Sequence, residues 1–243
     1  MPDLTLVALA TLAATAATVL GSIPIILNGS VSTRHLGWAK ALAAGLMLGA
    51  SFVLLQQGLA IQLVGGVGGS VLGITFVTLS HRLTLLPPGD PAVPIDREPG
   101  TASQIMVRGI LHSSAEGAAI GVAFLVDPLL GFLLAGTMAL HNVAEGAAIT
   151  SALTHDHRRP LPAAGVAILI KSSHIPAAVA AAAWIGSGGK PLALGFASGA
   201  MFYLVLVDLL PQAYRETGHT GIALTASTAM SVVLLIDALL LTG

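Results

Sequence analysis

Residues 111–124 read LHSSAEGAAIGVAF and residues 140–153 read LHNVAEGAAITSAL, so one phrase recurs after 29 residues. Each copy sets a His and a Glu four positions apart in an apolar run: His112 with Glu116, and His141 with Glu145. That spacing puts both side chains of a pair on one face of an α-helix. The apolar runs around the pairs reach about 20 residues or more, enough to cross a bilayer as a helix. The phrase therefore predicts two membrane-spanning helices, each carrying the same costly polar pair.

The rest of the chain fits that reading. Of 243 residues, 55% are hydrophobic and only 9% are charged, and mean hydropathy is +0.89. Soluble domains carry charge on about a quarter of their residues. Apolar runs at about 4–28, 37–61, 63–82, 105–126, 129–153, 162–186, 191–213 and 221–241 predict eight transmembrane helices. The expectation is an all-α polytopic membrane protein forming a single transmembrane domain over 1–243. Its longest polar connection, 83–104, is rich in Pro and charge and reads as a flexible cytoplasmic loop. Met1-Pro2-Asp3 has no basic residue before the first apolar run, so that run is expected to be a retained helix rather than a signal peptide.

Basic residues set the expected orientation. Arg34, Lys40, Arg82, Arg97, Arg108, Arg158, Arg159 and Arg215 fall at the loops after odd-numbered helices, and Lys190 falls on the opposite side. Odd-numbered loops should thus be cytoplasmic, with both termini extracellular or periplasmic. A net charge of -1 with no basic stripe argues against a nucleic-acid partner. The absence of Cys excludes disulfides and thiolate ligands. No Walker A sequence is present, so the chain is not expected to use ATP directly.

Ionisable residues inside spans are expensive and mark functional sites by default. Here they are His112, Glu116, His141, Glu145, Lys171, His174, Asp208 and Asp237. If the faces of helices four and five meet, two imidazoles and two carboxylates converge. Such a set suits zinc, iron or manganese, and a bound cation would offset the two glutamates. A proton relay for carrying another solute uses the same residue types and stays open as an alternative. So does a membrane-embedded zinc hydrolase, although no nucleophile or base stands out beside the cluster. Asp208 is read as a pathway residue or as a group bonded at a helix end before Pro211. No H-E-x-x-H pattern occurs.

These motifs resemble the ZIP family of zinc and iron permeases. HNVAEG at 141–146 is similar to that family's H-N-x-P-E-G motif, with Ala144 in place of Pro, and HSSAEG at 112–117 is similar to a degenerate copy with Ser113 in place of Asn. ASGAMFYLVLVDLLPQA at 197–213 resembles its seventh helix and GLMLGASFVLL at 45–55 its second. The resemblance implies eight helices with external termini and transport of a divalent metal as substrate toward the cytoplasm, with no cofactor and no enzymatic activity. It implies a primary metal site of His112, Glu116, His141 and Glu145, with Asn142 beside a second metal position. Helix six of the family commonly supplies a carboxylate in an S-G-x-x-E-P setting, whereas this chain reads KSSHIP at 171–176. Lys171 would place an ammonium where a second cation sits, which leads to the expectation of a single metal. Ser113 is a weaker ligand than Asn, and His174 is either an added ligand or a structural hydrogen-bonding group. The loop between helices three and four, His-rich in many members, has no His here, leaving HDHRRP at 155–160 as the remaining cytosolic contact. Short loops suit a bacterial member in the inner membrane. The bilayer and metal ions are the implied partners, and a homodimer is left open.

Overall fold

A computed structural model describes residues 2–83, 102–155 and 159–241. The expected loop 83–104 falls almost wholly outside the described residues, as do His157 and Arg158 of HDHRRP. The described chain is all-α, with eight helices long and apolar enough to cross a membrane: Leu4–Asn28, Thr33–Ile61, Leu63–Ser80, Met106–Val126, Pro128–Thr154, Pro160–Trp184, Lys190–Thr217 and His219–Leu240. These are called spans 1 to 8.

Local chemistry sets their ends. Asp3 caps span 1, accepting from Thr5 N at 2.9 Å, and Gly29 closes it at φ 77°. Span 2 begins at Thr33, four residues before the apolar run, because Ser32 Oγ caps it by accepting from His35 N at 3.3 Å. Pro160 opens span 6 where a missing N–H costs nothing.

Two spans are irregular in ways the apolar pattern does not show. Span 6 stops at Lys171, turns through Ser172 and Ser173, and resumes at His174. The freed Lys171 carbonyl lies 3.4 Å from Thr15 Oγ1, which donates to it, and Ser173 Oγ donates to Ile170 O at 2.8 Å. Neighbouring hydroxyls thus satisfy backbone that lipid could not. Span 7 was expected to end near 213 but runs to Thr217. Pro211 cannot donate to the preceding turn, and Val205–Leu209 widens into a π-helical turn that lets the helix continue. Asp208 therefore sits inside a widened turn and not at a helix end.

The spans pack as two groups. Span 1 lies along span 5, span 4 along span 6, and spans 4 and 5 meet each other; span 3 lies along span 7, and span 2 along spans 7 and 8. Contacts of span 2 with span 5 and of span 4 with span 7 join the groups. Met47, Leu54, Leu134, Met138, Leu194 and Met201 fill the interior, while Leu20, Leu72, Leu224 and Leu239 face outward, where lipid would lie. Lipid is as apolar as Leu, so helix association depends on close approach of backbones. At Gly21 a Cβ would overlap the Val143 carbonyl of span 5.

Gly21→Ala is expected to destabilise the solubilised protein by ~1–3 kcal/mol, the usual cost of overpacking. Gly136→Ala, where a Cβ meets nothing within 4 Å, should leave it unchanged. Thermal unfolding in detergent separates the two; equal melting of both variants would contradict this packing.

Candidate metal centre

Glycines let the site's helices come together. A Cβ at Gly117, just after Glu116, would overlap the backbone of His174 in span 6, and one at Gly146, just after Glu145, would overlap the Thr18 carbonyl of span 1. The Gly that follows Glu in each phrase therefore makes room for a partner helix. Span 4 is drawn against the break in span 6, and span 5 against span 1.

The two His–Glu pairs do converge. His112, Glu116, His141 and Glu145 each present a ligand atom, and these four atoms lie within 4.8 Å of one another. His112 Nε2 is 3.1 Å from Glu116 Oε1, and His141 Nε2 is 3.0 Å from the same oxygen. His141 Nε2 is also 3.0 Å from Glu145 Oε2. The rings of His112 and His141 are nearly parallel, with an interplanar angle of 6° and centroids 6.4 Å apart. One imidazole nitrogen carries at most one proton, so His141 Nε2 cannot donate fully to both carboxylates. A cation among the four atoms could engage all of them at once, and the His/carboxylate set is one that divalent zinc, iron or manganese accepts.

Lys171 lies at the break in span 6 and has no solvent exposure. Its Nζ is 2.8 Å from Glu116 Oε2 and also pairs with Glu145. Both carboxylates hold its ammonium inside the bundle. His174 Nε2 approaches Glu116 Oε2 at 2.9 Å, and its Nδ1 lies 3.5 Å from Thr15 Oγ1. Glu116 thus meets His112, His141, Lys171 and His174, with no exposure of its own. Glu145 keeps 15% of its side chain exposed.

The remaining expected residues fall differently. Asn142 turns toward span 1, donating from Nδ2 to Ala14 O at 2.8 Å. Its Oδ1 and the Ser113 Oγ are buried without a hydrogen-bond partner. Neither joins the four-residue cluster. Asp208 pairs with Arg108 of span 4. Thr15 and Arg108 stand at the site without a sequence signal of their own: a Thr in an apolar span carries no mark, and Arg108 reads only as a loop charge. Its place four residues before His112, on the same helical face, was the available clue.

A small groove runs along span 4 from Arg108 to His112, the member of the four-residue cluster that lines it. Val77 of span 3, Leu111 and Ala115 of span 4 and Leu204 of span 7 wall it, and Arg108 and His112 also line it.

No family model matches the chain. A protein of Arabidopsis thaliana, provisionally named a zinc transporter, is 31% identical to it over 237 residues. The match takes in 93% of this chain and 37% of that protein, so the chain spans little more than a third of the relative's length.

Because Glu116 meets four polar partners and Glu145 two, the glutamates are not equivalent. Glu116→Gln should destabilise metal-free protein by ~3–5 kcal/mol, the scale for breaking a buried ion pair, and Glu145→Gln by clearly less. Melting temperatures in detergent with chelator check the order; equal losses would place the structural weight elsewhere.

Proposed function

We propose that the chain is a secondary carrier of divalent metal, of the ZIP kind, that moves zinc toward the cytoplasm. The observation that carries this reading is the convergence of two His–Glu pairs from antiparallel spans on one point inside the bundle. The relative named for zinc transport supports the choice of cargo; iron, manganese and cadmium fit the same ligand chemistry. The chain acts as a carrier and not as an enzyme, as one transmembrane domain, with both termini outside and the basic loops within. A bacterial inner membrane suits its short loops.

In this reading His112, Glu116, His141 and Glu145 hold the metal, and Asn142, Ser113 and His174 tune its surroundings. Lys171 stands in for a second cation, so a single metal is carried. Formally, two carboxylates and one ammonium leave the centre at minus one when the imidazoles are neutral. A divalent cation then takes it to plus one, where a centre without Lys171 would reach zero. The ammonium thus weakens the hold on the ion, which a carrier needs because its cargo must leave. The direct contacts of Lys171 with both glutamates favour this electrostatic role over a proton relay running through the His–Glu pairs.

Zinc uptake into proteoliposomes is the test. His141→Ala and Glu145→Ala should each abolish it, and intact flux in both would reject the site. Calorimetric titration of the solubilised protein should find one zinc per chain. Lys171→Met should bind zinc at least about tenfold more tightly, since an opposing unit charge near 4 Å is worth ~4 kcal/mol at an effective dielectric constant of 20. Unchanged or weaker binding would remove Lys171 from this role.

A further inference from the structure

Polar contacts bridge the group that carries the metal centre (spans 1, 4, 5 and 6) and the other group at two places among the described residues. Both involve span 4, one near each end. Near its start, Arg108 pairs with Asp208 of span 7. Near its finish, the Leu125 carbonyl accepts from Lys190 Nζ, at the head of span 7, at 2.6 Å. They differ in kind, because the first joins two full charges and the second joins an ammonium to a backbone carbonyl.

Arg108 stands at the end of the groove away from the centre, and Asp208 pairs with it there. Arg108 lines the groove together with His112, one helical turn further along the same face of span 4. Its side chain is 24% exposed, whereas that of Asp208 is 8% exposed, so the more accessible partner is the one on the centre's own helix. Asp208 is supplied by the widened turn Val205–Leu209, the one stretch of span 7 that departs from regular α-helix. A π-helical turn shifts the side chains that follow around the helix axis. Apart from Ser80, the remaining walls are apolar, with Val77, Leu111 and Leu204 offering a passing ion no ligand.

We propose that the Arg108–Asp208 ion pair is a gate on the groove that leads to His112. While it is formed, span 4 is pinned to span 7 across the groove and the centre is shut off from that side. When it parts, span 4 can swing from span 7 about its Lys190 contact, and the groove opens toward Ala115 and His112. Arg108 keeps 24% of its side chain exposed, so when the pair parts its guanidinium has somewhere polar to turn. Arg108 and Asp208 are thus positioning residues that act on access, and the inference rests on the groove rather than on the identity of the cargo.

The chain has no Cys, so a single introduced thiol reports access without further changes. Ala115→Cys lines the groove beside the centre, and Ala50→Cys, buried in the main core, serves as a control. Labelling of the solubilised, metal-free protein by a positively charged methanethiosulfonate is timed for each. Asp208→Asn and Arg108→Gln should each speed labelling of Ala115→Cys about tenfold, and the double variant should label no faster than either single one, as expected for two partners in one interaction. Ala50→Cys should stay slow throughout. Unchanged labelling in the single variants, effects that multiply in the double variant, or Ala50→Cys accelerating in step would each overturn the gate. Metal plays no part in the measurement, so failure here is distinct from failure of zinc uptake.

Discussion

The structure turns on Glu116. A carboxylate removed from water inside a helix bundle is tolerated only with compensating charge and hydrogen bonds. Four groups from three spans supply them: His112 from its own helix, His141 from span 5, and Lys171 and His174 from span 6. Each of those contacts demands that its helix come close. Closeness in turn is permitted by Gly117 against the His174 backbone and Gly146 against Thr18. The polar centre and the small-residue packing are one constraint seen from two sides, since in lipid neither would hold the helices together through the hydrophobic effect.

The break in span 6 falls at the same carboxylate. Lys171 and His174 flank the turn at Ser172 and Ser173, and both reach the same Glu116 oxygen, at 2.8 Å and 2.9 Å. The turn exposes backbone that must be bonded inside the protein, and Thr15 and Ser173 do so. The irregularity thus coincides with the point where an ammonium and an imidazole meet one carboxylate.

The sequence showed the fold class and the outline of the centre because ionisable residues stand out sharply against apolar runs. His112, Glu116, His141, Glu145, Lys171 and His174 could be found by asking which polar side chains have no business in a bilayer, and the structure brings all six together. Helix ends were less legible, as at Thr33, where a single capping Ser moves the start outward. The partners of Asn142 and Asp208 were not legible at all. Asn142 bonds a carbonyl of span 1 and Asp208 an arginine of span 4. Such pairings depend on how spans distant in sequence are arranged, which hydropathy and spacing do not encode.

Arg108 shows why a charge count misleads. As a basic residue near a helix start it contributes to the orientation signal, and that use asks nothing of its neighbours. In the folded chain it occupies the same face as His112 and Glu116, so one stripe of span 4 runs from a cation near the membrane face to a buried anion at the centre. A helix charged in that order attracts a carboxylate at its basic end, and span 7 provides Asp208 through a widened turn. The two irregular helices therefore serve the two ends of one stripe: span 6 breaks to neutralise Glu116, and span 7 widens to meet Arg108. Span 4 carries both ends, so a shift of this one helix would move the four-residue cluster and the groove beside it together.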